Sequence, residues 1–482
     1  MRELLKNLHT ASKLLASSPP RRSGSDCIEI RVDGVRDFSL SRFIRLKPKH
    51  LCLIFTCLGK DNPLQRIRLL KDAISCGQFE FVTIDIPDVF NVSPSIKELL
   101  NLAQLKRTKI ILSYHNFQNT PDIIEIEKVY QRLYDLKPQA IKIVTYARNI
   151  SDNLKLLKFA MNVVKNRASK LIVFCMGEQG LISRILYKKF GLFMTYASLE
   201  EGKELADGQI PFWQMKKLYN ADSLNPGTKV FGLLGYPIQH SFSSYLFNLF
   251  FRMKKSNAVY LPFSIKIDDF EDDFARINSY LKPKGFSVTS PYKIRVRKLL
   301  DKTDKISREI RAVNTIYRKG NKLIGTNTDW LGAYKVLESI PKRNYPKYAF
   351  VLGQGGVSRA LVYALQQLNI KTTVFARQPA NRQIQPWQKL AQFCNNSGEK
   401  AILINATPIG MFPDSDKSPV RNSLIKKGML VFDVIYNPIK TKLLKLAKQK
   451  GCLVINGGQL FISQAMEQFK YFSRTISQVS RR

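Results

Sequence analysis

Apolar residues in the first 200 or so positions gather in short runs rich in β-branched and aromatic side chains, with room for one helix between successive runs. The runs are CIEIRV (27–32), LCLIFTC (51–57), FEFVTIDI (79–86), KIILSYH (109–115), AIKIVTY (140–146), KLIVFCM (170–176) and LFMTYAS (192–198). A half-exposed strand would alternate apolar with polar residues. These runs do not, so each predicts a strand covered on both faces, as in repeated parallel βα units. Seven or eight such units in about 200 residues favour a (β/α)8-type barrel over an open sheet. Only 26 residues, MRELLKNLHTASKLLASSPPRRSGSD, precede the first run. Seven runs are legible, one short of a closed eight-unit barrel.

NADSLNPG (220–227) breaks the pattern, and a second α/β set follows. KVFGLLG (229–235) opens it, and a mixed strand–helix region runs to about Asn327. YAFVLGQGG (348–356) then leads through a glycine-rich turn into the helical SRALVYALQQL. TTVFAR (372–377), AILINAT (401–407), LVFDVIY (430–436) and CLVINGG (452–458) supply further strands. That order predicts a doubly wound, Rossmann-like lobe inserted into a mixed α/β lobe. The expected organisation is an extension over 1–25, a barrel over 26–218 and a linker over 219–228. A substrate lobe over 229–330, a nucleotide lobe over 331–458 and a helix over 459–482 returning to the substrate lobe complete it.

Composition changes this picture little. With 44% apolar and 24% charged residues, the 482-residue chain is globular, not disordered. Charge adds more: 77 basic against 37 acidic residues give +40, split as +13 over residues 1–225 and +27 over 226–482. Such a field favours anionic partners, nucleic acid among them. The basic residues are spread through amphipathic segments without a low-complexity arm, which favours small anionic metabolites over nucleic acid. Seven cysteines without a CxxC pair speak against a disulfide framework or a structural metal and for a reducing compartment. No apolar run reaches the ~18 residues of a membrane helix. The Arg- and Ser-bearing start has some transit-peptide character, against which Glu3 counts. The expected compartment is the cytoplasm, or the plastid for a plant chain.

Two residues stand out in the first half. His115 closes a predicted strand in SYHNF, and Lys142 sits within the apolar run AIKIV. An ammonium is costly to bury, so Lys142 is either an edge residue reaching solvent or a desolvated amine able to form a Schiff base with a ketone. A nearby histidine would then move protons. Glu29 and Arg31 alternate onto one side of another strand, where they could pair with each other or bind a carboxylate. In combination, CIEIRVD, ILSYHNFQNTP, AIKIVTYA, FCMGEQGLISRI and ADGQIP resemble the type I 3-dehydroquinate dehydratases over about residues 26–215. The resemblance implies Lys142 as the Schiff-base lysine and His115 as the acid/base that removes a C2 proton and helps expel water. It assigns Glu29, Arg31 and Gln209 to substrate contacts and Arg184 to the substrate carboxylate. Leu58 stands where that family has Arg, Leu205 where it has Ser, and Asp85 where it has Glu, one methylene longer. The family also carries another βα unit before the strand in CIEIRV, so the resemblance implies a (β/α)8-type barrel that lacks its first strand, through a truncated start or with a different element sealing the gap.

In the second half, Ser241 and Ser243 occupy a strand-to-helix turn, either to receive a carboxylate or simply to cap the helix. Lys293 and Asp329 are suited to deliver a proton during carbonyl reduction, although singly each also reads as a solvated lysine and a cap. GQGGVSRA (353–360) is close to the dinucleotide fingerprint and has the strand–turn–helix context that the fingerprint needs. The next strand ends in Arg377 with no acidic residue beside it, which favours a 2′-phosphate and hence NADP. Over about 229–475 these features resemble shikimate dehydrogenase. The resemblance implies a catalytic Lys293–Asp329 pair and a substrate held by Ser241, Ser243, Thr289, Asn314, Tyr436 and Gln464. An NADP site is implied at Gly353, Gly355, Gly356, Arg377, Thr407, Met411 and Gly457. Ser287 replaces the Asn of many single-domain members, as it does in plant-type fusions.

The two resemblances name consecutive reactions: dehydration of 3-dehydroquinate, then NADPH-dependent reduction of 3-dehydroshikimate to shikimate. A bifunctional enzyme of the shikimate pathway is the expectation; the alternative keeps the dehydrogenase and reduces the barrel to a scaffold. The expected partners are small carboxylates, with no nucleic acid, membrane or metal, and the oligomeric state, a monomer included, is left open.

Overall fold

The structure, a computed structural model, describes residues 26–477 apart from 34, 36–37, 48–50, 60–61, 167–169, 240 and 397–400. It divides into two compact units, Met1–Thr228 and Lys229–Arg482.

In the first unit the strands are β1 (Ile28–Arg31), β2 (Leu53–Thr56), β3 (Phe81–Asp85), β4 (Ile110–His115), β5 (Ala140–Tyr146) and β6 (Lys170–Met176). Between them lie α1 (Leu40–Leu46), α2 (Pro63–Ser75), α3 (Pro94–Lys106), α4 (Ile123–Asp135) and α5 (Ile150–Asn166); α6 (Leu181–Ile185) follows β6. Local chemistry sets the helix starts. Asn62, Ser93 and Asp122 each accept first-turn N–H groups, and Pro63 and Pro94 occupy first-turn positions. The six strands pair in parallel in chain order. A flat sheet would hold β1 and β5 about 19 Å apart, four strand spacings. Glu29 on β1 and Lys142 on β5 are instead 3.6 Å apart, so the sheet curls into part of a barrel. Inside it, Ile54, Phe81, Ile111, Val144, Ile172 and Phe174 form one cluster.

Two expectations are corrected. LFMTYAS is not a strand: its ladder is reduced to a Phe193 N–H bond to the Leu171 carbonyl and a bridge between Ser198 and Pro211. Phe193, Met194 and Tyr196 pack against the interior cluster, so side-chain burial rather than backbone pairing holds the segment. Cysteine count also misled. Cys27 and Cys52 form a disulfide, because the β1–β2 register, Ile28 opposite Leu53, brings the preceding residues side by side. Their separation of 25 residues carries no such signature.

The second unit has two sheets. Strands β7 (Lys229–Gly235), β8 (Ala258–Ser264), β9 (Gly285–Val288), β10 (Lys302–Thr303), β11 (Thr315–Lys319) and β12 (Lys322–Thr326) make a mixed sheet in the order 10-12-11-9-7-8. Strands β13 (Tyr348–Leu352), β14 (Lys371–Ala376), β15 (Gln385–Pro386), β16 (Ala401–Asn405), β17 (Leu430–Asp433) and β18 (Leu453–Ile455) follow. They are all parallel in the order 15-14-13-16-17-18, the doubly wound arrangement whose order reverses between β13 and β16. Helices α7 (Ser243–Met253), α8 (Phe270–Tyr280) and α9 (Lys305–Ile310) accompany the first sheet. Next come α10 (Asp329–Glu338), α11 (Gly356–Gln367), α12 (Leu390–Asn396) and α13 (Lys442–Gln449).

The last helix, α14 (Gly457–Ser477), belongs to both lobes. Its Leu460 joins the core of the parallel-sheet lobe, while Phe472 packs with Phe231, Phe247 and Phe251 in the other. Phe472 is fully buried, its ring centroid 5.0 Å from that of Phe231 and 5.4 Å from that of Phe247. Phe472→Ala is expected to cost about 3–5 kcal/mol in denaturant unfolding of this unit. It should also loosen the helix and so raise protease sensitivity near its C-terminal half. An unchanged unfolding midpoint would refute this role for the ring.

Candidate active sites

In the first unit the strand register assembles the site. Asp85 on β3 lies beside Ser113 on β4, and Ser113 beside Lys142 on β5. Alternation along each strand puts these three on one face, together with His115, two residues beyond Ser113. Asp85 Oδ1 accepts from Ser113 Oγ at 2.8 Å and lies 2.7 Å from His115 Nδ1. The shorter carboxylate therefore still reaches the imidazole, and with Nδ1 engaged, Nε2 remains to act on a substrate.

Lys142 is 5% exposed and stands between two neighbouring strands, so the edge-lysine reading fails. Its Nζ is 3.6 Å from Glu29 Oε1, which accepts from Thr56 Oγ1 at 2.9 Å. On another side, Nζ lies 4.0 Å from the centroid of the Tyr196 ring. Burial holds the ammonium below the ordinary lysine value; Glu29 opposes that shift and Arg31 adds to it. Arg31 itself pairs with Asp33 at 2.7 Å.

Arg184 is fully buried on α6 and has no carboxylate partner among the described residues. Its guanidinium faces the Tyr196 and Asp207 carbonyls at 3.4 and 3.5 Å and covers the Phe174 ring at 4.3 Å. Nε has no partner among the described residues. Burial lowers this group to about 10. A guanidinium so placed can take an incoming carboxylate as its partner, because an uncompensated buried cation is costly. Gly208 shapes the loop behind it: at φ +75°, a Cβ there would lie 2.1 Å from the Gly177 carbonyl oxygen. Gln209 is not drawn into the cluster; its amide oxygen accepts the Leu205 N–H at 2.8 Å.

In the second unit Asn314 is the hub. Its amide donates to Asp329 Oδ1 at 2.7 Å, Thr328 Oγ1 at 3.0 Å and Gln464 Oε1 at 3.3 Å, while its oxygen accepts the Thr328 N–H. Lys293 Nζ lies 2.6 Å from Asp329 Oδ2. Behind them Gln468 donates to the Asn314 carbonyl and accepts from Ser287 Oγ, both at 2.8 Å. Ser241 and Ser243 share a 3.1 Å hydroxyl contact at the start of α7, whose N-cap, Phe242, makes no side-chain cap. Burial raises the Tyr436 phenol; Ser241 lies close enough to oppose the shift. Thr289 follows β9, its N–H bonded to the Leu234 carbonyl.

Gly353 follows β13, and Gly355 is the N-cap of α11, with no side chain capping the helix start. A Cβ on Gly356 would lie 2.9 Å from Lys293 Cβ, so this helix start comes directly against the lysine. Thr407 is held by Asn405, which accepts from both its N–H and its hydroxyl. Met411 is exposed on the same loop, and Gly457 opens α14.

The type I 3-dehydroquinase family model matches residues 7–226. The shikimate dehydrogenase substrate-binding domain model matches residues 233–316. A shikimate dehydrogenase (NADP(+)) of Aquifex aeolicus is 36% identical over 255 residues, which cover 52% of this chain and 93% of that protein. The chain belongs to the shikimate dehydrogenase family. It carries a type I 3-dehydroquinase domain ahead of it. Over both units it is 29% identical to the chloroplastic bifunctional 3-dehydroquinate dehydratase/shikimate dehydrogenase of Arabidopsis thaliana, across 95% of this chain and 79% of that one. A crystal structure of the A. aeolicus shikimate dehydrogenase is 32% identical at TM-score 0.47, covering 53% of this chain and 99% of that one.

The dehydrogenase unit fits a dinucleotide. The uncapped start of α11 offers free N–H groups to a pyrophosphate, and nothing lies within 4 Å of a Cβ built on Gly355. Gln354, missed in the sequence, ties this turn to the segment after Arg377 through the Gln378 carbonyl and the Ala380 N–H. Gln468 was also missed, although its i+4 spacing from Gln464 on one helix was a usable signal.

Asp433 buttresses the same cleft. It accepts from Thr441, Asn405 and the Ile435 N–H, yet burial outweighs these bonds and raises it from 3.8 to about 6. The folded state thus holds this proton more tightly than the unfolded chain does. Its stabilising contribution is full below pH 3.8 and is lost as the pH rises through about 6. Asp433→Asn should flatten the stability profile by roughly 3 kcal/mol between acid and neutral pH. Unfolding midpoints of parent and variant across that range test this; parallel profiles would contradict it.

Proposed function

We infer that the chain is a bifunctional enzyme of the shikimate pathway: it dehydrates 3-dehydroquinate to 3-dehydroshikimate, then reduces that product to shikimate with NADPH. The observation that carries the first activity is a desolvated Lys142 beside an Asp85-oriented His115, with the unpaired Arg184 nearby. In this reading Arg184 pairs with the substrate carboxylate and fixes the ring. Lys142, whose ammonium burial makes easier to deprotonate, attacks the ketone carbon as the free amine; loss of water leaves an iminium. The iminium acidifies the adjacent carbon, and His115 Nε2 takes its proton. The resulting enamine expels the β-hydroxyl, which leaves as water with the proton from His115. Hydrolysis of the iminium returns the amine and releases 3-dehydroshikimate. Glu29, held by Thr56, steadies Lys142 between these steps.

For the second activity, NADPH when bound supplies the reducing equivalent. Arg377 and the start of α11 would hold its phosphates. Lys293 donates the proton that the carbonyl oxygen gains, and Asp329, fixed by Asn314, orients the ammonium. Ser241, Ser243, Thr289, Tyr436 and Gln464 would hold the carboxylate and hydroxyls, and Thr407, Met411 and Gly457 would line the cofactor. Each unit supplies its own set of side chains, which suits a monomer. No helix among the described residues is long and apolar enough to cross a membrane.

Borohydride treatment with 3-dehydroquinate, read by mass spectrometry, should add a ligand mass to the parent and none to Lys142→Ala. That variant should retain reduction of 3-dehydroshikimate. Lys293→Ala should lose about 10²–10⁴ of the reduction rate and keep dehydration. A parent that reduces but forms no adduct would leave only the dehydrogenase. Arg377→Ala should raise KM for NADPH about tenfold with little change for NADH, and equal effects on both would remove the 2′-phosphate assignment.

A further inference from the structure

One buried polar group beside Lys142 has no part in the chemistry above. The Tyr196 hydroxyl is buried and has no hydrogen-bond partner among the described residues. The rest of the residue is held firmly. Its ring packs against Phe174 at 5.7 Å between centroids, and its backbone carbonyl accepts from Arg184. Tyr196 thus touches both groups read as nucleophile and carboxylate receptor, Lys142 at 4.0 Å from its ring centroid and Arg184 through its carbonyl. The phenol oxygen lies one C–O bond beyond the edge of that ring, within reach of a six-membered ring joined to Nζ.

Burial raises the phenol well above its ordinary value, and the negative Glu29 adds to the shift, so the group is an intact O–H donor at working pH. An orphaned buried O–H bears its full desolvation cost, whereas phenylalanine would fill the same space without it. A donor left unpaired beside a reactive amine is a group that waits for a ligand.

We propose that the Tyr196 hydroxyl is a substrate-binding group of the dehydratase site, donating a hydrogen bond to an oxygen of the hydroxylated ring attached to Lys142. This rests on the Schiff-base reading of that lysine. The bond would form as the substrate enters, replacing one the substrate oxygen loses to water, and it would fix the ring for proton removal by His115.

Tyr196→Phe removes the O–H and keeps the ring over Lys142. The full chain should lose about 10–100-fold in kcat/KM for dehydration, still form the borohydride-trapped adduct at saturating substrate, and reduce 3-dehydroshikimate at the parent rate. Its melting temperature should equal or exceed that of the parent, because an unpaired donor has been removed. Parent-like dehydration kinetics in a variant of equal or higher melting temperature would overturn the proposal, as would a loss of dehydration matched by a fall in melting temperature. Failure of the underlying reading shows separately, as a parent that forms no adduct at Lys142.

Discussion

Lys142 and Arg184 are cations withheld from water, and the cost of that burial organises the polar structure around them. In the dehydroquinase unit the cost is left partly unmet. Arg184 has only carbonyl dipoles and a ring face for company, and Glu29 stands 3.6 Å from Lys142, too far for a hydrogen bond. A loosely compensated ammonium gives up its proton more easily, and an uncompensated guanidinium calls for an anion. In the dehydrogenase unit the opposite choice is made. Lys293 has a carboxylate at 2.6 Å, itself gripped by Asn314.

Geometry at this precision comes from backbone, not from loops. The row Asp85–Ser113–Lys142 is a consequence of parallel register across three neighbouring strands, so the backbone holds the three side chains on one face. The Asn314 hub is fixed from the C-terminal helix, through Gln464 and Gln468, and that helix is anchored by aromatic packing in one lobe and by Leu460 in the other. The Asn314 cluster and the core of the parallel-sheet lobe are therefore tied to one helix.

The basic charge fits this chemistry. Excess positive charge is largest in residues 226–482, where a carboxylate substrate and a phosphorylated cofactor would meet in one cleft.

Much of this was legible along the chain. The buried-strand runs, the glycine turn entering a helix, Arg377 without an acidic neighbour, and Lys142 in an apolar strand are local patterns, each with a short-range physical cause. The failures share a cause as well. LFMTYAS has strand composition, but inward packing of Phe193, Met194 and Tyr196 holds it in place of a ladder. Cys27 and Cys52 meet only because two strands pair. The reach of Asp85, the lack of a partner among the described residues for Arg184 Nε and the Tyr196 hydroxyl, and the part played by Gln468 depend on what distant segments bring near. By itself the sequence determined the α/β class, the two-unit order and the residue types on which each reaction depends, since periodicity and residue chemistry are properties of neighbours along the chain. The tertiary structure alone decided which of those groups are paired, desolvated or left waiting, because burial and hydrogen bonding belong to neighbours in space.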